Sequence, residues 1–96
     1  MKRQGPILGM SIRNLTPTEQ SKLEIKGGVY VQDVTFGGLA AQSRIIPGDI
    51  ITQINNKKTS NMNEFVEAVA GLQKDSVARV SIIRQGQHAM LGLRIQ

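Results

Sequence analysis

The chain has 96 residues, 40% of them hydrophobic, and contains no cysteine. This length supports one hydrophobic core, because a domain of this size buries only about 60–65% of the surface that its unfolded chain exposes. The lack of cysteine excludes disulfide bonds, thiol chemistry and zinc–thiolate sites. The longest apolar runs are two or three residues, whereas a membrane-spanning helix needs about twenty. We interpret residues 1–6, which lack the apolar segment of a signal peptide, as a linker, and residues 7–96 as one domain.

The positive charge of the chain is spread along it. Twelve Lys and Arg against seven Asp and Glu give a net charge of +5. Only Lys2-Arg3 and Lys57-Lys58 are adjacent basic residues, and the three aromatic residues cannot form a stacking platform for bases. We therefore expect a solvated basic surface that does not bind nucleic acid.

The first half of the chain predicts two strands with a short helix between them. Residues 7–15 alternate apolar and polar side chains, which is the period of a half-buried strand. Thr16 and Glu19 form a capping box with Pro17 at the first helical position, so a helix should begin there. It should run to about residue 23 or 25 and end at Gly27-Gly28. Residues 29–36 are rich in β-branched and aromatic side chains and predict a central strand.

The second half predicts a strand, an amphipathic helix and a hairpin. Residues 39–42 can form one helical turn, and residues 50–54 form a strand that a turn at Asn55-Asn56 closes. Asn61 caps a helix over residues 62–73, in which apolar side chains recur at helical spacing. Residues 77–84 and 88–95 form a hairpin. This order predicts an α+β fold in which an antiparallel sheet packs against two helices.

No constellation of residues predicts catalysis. His88 is the only histidine, and no serine lies in the sequence context of a nucleophile. Metal-ligand spacings and phosphate-binding glycine loops are also missing. We therefore expect no catalytic residue, no metal and no cofactor in these 96 residues.

A glycine-containing loop at the start of the first strand is the best candidate for a binding site. Its residues are Ile7, Leu8, Gly9 and Met10. Three successive backbone N–H groups, from Leu8 to Met10, could converge on an anion, because Gly9 allows a tight turn. Leu8, Met10 and Ile12 would then share one face beside the anion. The alternative is an ordinary buried start of a strand.

Residues 38–55 carry a longer pattern, in which a small-residue turn, an apolar pair, Gly48-Asp49 and an Ile-x-x-Ile-Asn strand follow one another. This pattern resembles the signature of PDZ domains. Over residues 7–96 the chain is most similar to the circularly permuted bacterial PDZ domains of HtrA/Do serine proteases, in particular to the second, C-terminal one. The resemblance implies a PDZ-like antiparallel β-sandwich or barrel with two helices.

The resemblance also implies a peptide-binding groove between the strand at Met10 and the helix over residues 62–73. The amides of the loop would hold a terminal carboxylate, and Ile12 would line the pocket. On the helix, one apolar stripe would face the groove and a second stripe, of Phe65 and Leu72, would face the core. Alternatively, all five side chains belong to the core. The residues of the groove stripe are Met62, Val66 and Val69.

The function implied by the resemblance is that of a recognition module. It would bind C-terminal or extended apolar segments of unfolded proteins by β-strand addition, and other domains or subunits of the same protease are further candidate partners. The parent would be a periplasmic serine protease, and the domain would not insert into a membrane. Two alternatives stay open: another parent, such as an intramembrane protease or a secretion component, and a structural contact surface with an empty groove.

Overall fold

The computed structural model describes residues 9–73 and 75–95. Strands and helices alternate along this part of the chain except at two hairpins, a short one in the middle and a long one at the end. The elements are β1 (Met10–Asn14), α1 (Pro17–Leu23), β2 (Val29–Val34), α2 (Leu39–Gln42), β3 (Ile50–Ile54), β4 (Lys57–Lys58), α3 (Met62–Ala70), β5 (Val77–Arg84) and β6 (Gln87–Arg94).

All strand pairs in the described residues are antiparallel. The strand order of the sheet is β1-β2-β3-β5-β6, and the short β4 pairs with β3. The predicted fold class, an α+β domain with an antiparallel sheet, is therefore confirmed. The single helical turn predicted at residues 39–42 is present as the short helix Leu39–Gln42, so the described residues contain three helices where the predicted fold class named two.

Helix α1 begins at Pro17 and ends at Leu23, as predicted, but Gly27-Gly28 does not provide its end. Thr16 Oγ1 accepts a bond from the Glu19 N–H, and the Thr16 N–H donates to Glu19 Oε1, so both halves of the capping box form. The C-cap is Glu24, which adopts a left-handed conformation with φ of 56°. Gly27 instead allows the chain to pass close to Ser60, since a Cβ at Gly27 would lie 2.8 Å from the Ser60 side chain.

Two elements are shorter than their sequence patterns. Helix α3 stops at Ala70 rather than at residue 73, and the Leu72 N–H bonds to Val69 O at 3.0 Å, three residues back. Strand β2 stops at Val34 rather than at residue 36, because Thr35 starts a turn in which the Gly38 N–H donates to Thr35 O. In both cases a local turn ends an element whose apolar pattern continues.

The sheet has an inner face, which packs on α3, and an outer face, which α1 partly covers. Neighbouring residues on β3 point to opposite faces, so Ile51 belongs to the main core and Ile50 to a second cluster. The second cluster, of Leu15, Ile50 and Ile83, is covered by Leu23, Ile25 and Tyr30. The main core consists of Met10, Ile12, Val29, Val31, Ala40, Ile45, Ile51, Ile54, Phe65, Ala68, Ala78, Val80, Ile82 and Leu93.

Two features are not found in the described residues. None of the helices there is long and apolar enough to cross a membrane. Nor do residues 9–73 and 75–95 contain a group of three or more His, Cys, Asp or Glu side chains that could hold a metal ion.

Candidate functional site

Strand β1 lies at one end of the strand order and has β2 as its partner among the described strands. Gly9 O accepts a bond of 2.8 Å from the Thr35 N–H of the β2 side. Backbone groups of successive residues alternate between the two edges of an antiparallel strand. Met10 and Ile12 therefore direct their N–H and C=O groups away from β2. An extended segment could use this edge for main-chain hydrogen bonds.

Helix α3 lies beside β1, and one hydrogen bond connects its first turn to that strand. The Met62 N–H donates to Asn14 Oδ1 at 2.7 Å, which connects the first residue of α3 to the last residue of β1. The bond also satisfies one of the free amides at the helix start. Asn14 carries no signal in the sequence for this role, because the contact joins residues 48 positions apart.

The predicted loop is described only from Gly9 onward. Ile7 and Leu8 lie outside the described residues. Gly9 has φ of +80°, and a Cβ there would lie 3.1 Å from the Leu39 backbone nitrogen and 3.2 Å from Gly38 Cα. The backbone at Gly9 thus turns tightly and passes close to the start of α2. Both features disfavour any residue larger than glycine at this position.

The predicted groove residues occupy the junction of β1, α3 and the main core. Met10 and Ile12 are buried, with 1% and 8% of their surface exposed. Met62 and Val69 are partly buried and pack against the same core. Val66 is half-buried and is not one of the side chains that pack against either cluster. Among the apolar residues predicted for the groove helix, it is the one that packs on neither cluster, so its side chain is available to a ligand.

On the outer face, Arg13 of β1 is held between α1 and β2. Its guanidinium donates two bonds, of 2.9 and 2.8 Å, to the Glu19 carboxylate and lies 4.2 Å from the centre of the Tyr30 ring. The bond from Arg13 lowers the pKa of Glu19 to about 2, with a further contribution from the Thr16 amide. The same bond raises the pKa of Arg13. Both charges are therefore committed to the connection between α1 and β1.

The sequence profile of the PDZ domain family matches residues 6–95. The chain belongs to the PDZ domain family, and the fold and the open edge of β1 beside α3 agree with this assignment. It is similar to proteins named "Probable periplasmic serine endoprotease DegP-like". The one from Hahella chejuensis is 38% identical over 96% of this chain, and the one from Pseudomonas savastanoi pv. phaseolicola is 33% identical over 98%. The chain spans about a fifth of the length of these relatives, 19% in both cases.

Solved structures of HtrA-type proteins have the same fold. The HtrA-type protease AlgW with a decapeptide matches 92% of this chain and 28% of its own, with a TM-score of 0.77 and 27% identity. The HtrA3 PDZ domain bound to a phage-derived ligand matches 94% of this chain and 84% of its own, with a TM-score of 0.77. Its identity of 24% supports the fold alone. The predicted resemblance to HtrA/Do PDZ domains is confirmed.

Proposed function

We propose that this chain is the peptide-binding module of a periplasmic serine endoprotease of the HtrA/Do type, in the position of its second PDZ domain. The relatives named as periplasmic serine endoproteases support this parent. Because the chain spans 19% of their length, proteolysis would belong to other parts of such a protein. The module would recruit C-terminal or extended apolar segments of unfolded proteins, and it could contribute to subunit assembly.

In this proposal, the peptide binds as an antiparallel strand on the open edge of β1. The observation that carries it is that Met10 and Ile12 direct their main-chain groups to an edge beside α3. The amides of Leu8, Gly9 and Met10 would hold the terminal carboxylate. The last side chain would enter the space beside Val66. Such an interface is small, so we expect micromolar affinity, about −8 kcal/mol.

The experiment that tests this function is a titration with paired peptides. Each pair ends in the same apolar residue, once with a free carboxylate and once as the amide, and fluorescence anisotropy reports the dissociation constant. We expect the free carboxylate to bind about tenfold more tightly or better, because the amide loses the charge-assisted bonds. Equal binding of both forms would contradict the carboxylate loop. Binding of neither form would favour a structural contact surface with an empty groove.

A further inference from the structure

Strand β2 contains an extra residue next to the open edge of the sheet. Ser11 of β1 pairs with Asp33, whereas the next residue, Ile12, pairs with Val31, so Gln32 is left over in β2. The pattern of burial follows this bulge. Val31 is buried, and Gln32 and Asp33 are both exposed. The bulge therefore turns two successive polar side chains outward, where a regular strand would turn one of them inward.

The outward side chains of β1 and β2 lie on the outer face of the sheet. Arg13 lies over the ring of Tyr30, and Tyr30 packs on the outer cluster. Ser11 is two residues from Arg13 on the same strand and shares its face. Asp33 is the partner of Ser11 and lies on that face as well. Ser11 and Asp33 thus form a row across the outer face, and this row ends at the open edge of β1.

A peptide strand added to that edge would extend the row by one residue. The peptide residues opposite Met10 and Ile12 would point to the inner face, and the residue between them, opposite Ser11, would point to the outer face. Strands lie about 4.8 Å apart, so the Cβ atom of this residue would stand about 10 Å from that of Asp33. An extended lysine or arginine side chain can cross this span and meet the carboxylate.

One carboxylate oxygen of Asp33 has no partner among the described residues and is available for such a contact. Its Oδ1 accepts a bond of 2.9 Å from the Val34 N–H, which orients the group. Its Oδ2 makes no hydrogen bond or ion pair within residues 9–73 and 75–95. Glu19, an acidic residue of α1 on the same side of the sheet, is different. Its two oxygens already accept bonds from Arg13 and from the Thr16 N–H.

We infer that Asp33 selects lysine or arginine at the peptide position opposite Ser11. This inference rests on the proposed function, and the position is the penultimate one when the terminal carboxylate lies on the loop amides. A preference for a basic peptide residue is the opposite of what the overall positive charge of the protein would favour. A net charge of +5 attracts acidic peptides at long range, so a preference for a basic residue at one position would have to be local.

The test uses peptides with a free carboxylate that differ only at the penultimate position, which is Lys, Gln or Glu. We expect the Lys peptide to bind about fivefold more tightly than the Glu peptide at low salt. The ratio should approach one at high salt, where charges are screened within about 3–5 Å. A Lys moved one position toward the peptide N-terminus, opposite Ile12, should weaken binding, because that side chain points to the inner face.

The matched variants are Asp33→Asn and Asp75→Asn. Each loses one negative charge, and the amide oxygen introduced by Asp33→Asn would still accept the bond from the Val34 N–H. We expect the ratio of Lys-peptide affinity to Glu-peptide affinity to fall to one or below in Asp33→Asn. The ratio should stay at its native value in Asp75→Asn, because Asp75 lies in the turn before β5. Free-carboxylate peptides that bind without a Lys preference, or with one that survives Asp33→Asn, would overturn the inference and leave the peptide-binding function intact. If no peptide binds, both fall.

Discussion

The apolar side chains in and just after α3 differ in how much of their surface the core takes. Phe65 is fully buried, and Met62, Val69 and Leu72 pack against the main core from its border. Val66 is half-buried outside both clusters. The five apolar positions recur at helical spacing, but they differ in how far they are buried in the core. Periodicity alone identifies the apolar side of the helix and not its border.

Because Val66 packs on neither cluster, Val66→Glu tests the proposed groove without disturbing the core. The charge would lie in the space proposed for the last peptide side chain, where desolvation is unfavourable. We expect peptide affinity to fall about tenfold or more. The melting temperature should stay close to that of the native domain, because Val66 contributes little to either cluster. Anisotropy titration and thermal unfolding, measured on the same sample, separate the two effects.

Val77→Glu is the matched control for this substitution. Val77 is 63% exposed and lies on β5, three strands away from β1 in the sheet order. The same chemical change there should leave peptide affinity unchanged. If Val66→Glu retains native affinity, the side of α3 that faces the peptide is different from the one proposed.

At the scale of secondary-structure elements, an ion pair supplements the apolar contact of Leu23 in holding α1 to the outer face. Arg13 on β1 bonds to Glu19 on α1, and Glu19 also completes the capping box of its own helix. The pKa of Glu19 in the folded state is about 2, below its ordinary value of 4.5. The unfolded chain therefore binds more protons than the folded chain between these values, and stability rises with pH in this window.

We expect Glu19→Gln to reveal this contribution as a pH-dependent difference. Above about pH 4.5 the native chain should be more stable than the variant, and the difference should shrink as pH falls toward 2. Urea unfolding of both proteins at a series of pH values from about 6 to about 2.5 measures it. If the difference in the free energy of unfolding stays constant over this pH range, the ion pair with Arg13 does not lower the pKa of Glu19.

The outcome for each element shows what the sequence could predict. The capping box at Thr16 and the amphipathic pattern after Asn61 depend on neighbouring residues, and both helices begin where these signals place them. The ends of α1, α3 and β2 are local turns that interrupt a continuing apolar pattern, so the pattern does not show them. Gly27, which was expected to end α1, instead lies close to Ser60, a contact that no local pattern signals. The bulge at Gln32 depends on register with β1 and leaves no local signal either.

The sequence likewise predicted some residues of the candidate site and not others. Residues of β1 and α3 were expected to lie together because of the family resemblance, and the structure places Met10 and Ile12 in the core against which Met62 packs. Asn14 and Asp33 could not be singled out. Their positions follow from a bond across 48 residues and from the pairing of two strands.

At the scale of the whole molecule, one buried carboxylate connects the middle of the chain to its last hairpin. Asp49, 1% exposed, accepts bonds of 2.8 and 2.7 Å from Arg84, which lies 35 residues away. It also accepts a bond from the Ile46 N–H, and Arg84 donates to Arg44 O. The bond to Asp49 raises the pKa of Arg84. None of these residues belongs to the proposed groove, so stability and binding rest on different carboxylates.

Asp49→Asn and Asp33→Asn therefore form a pair of equal charge change with opposite expected effects. In Asp49→Asn an amide donor can face the Arg84 guanidinium, which loses its charged acceptor, and we expect the melting temperature to fall by about 8 °C. At temperatures below its own melting temperature, the Asp49→Asn variant should bind the Lys peptide with native affinity, because β1 and α3 are unchanged. In Asp33→Asn the melting temperature should stay native while the Lys preference is lost. Thermal unfolding and anisotropy titration of both variants test this, and loss of affinity in folded Asp49→Asn would show that the hairpin connection also shapes the groove.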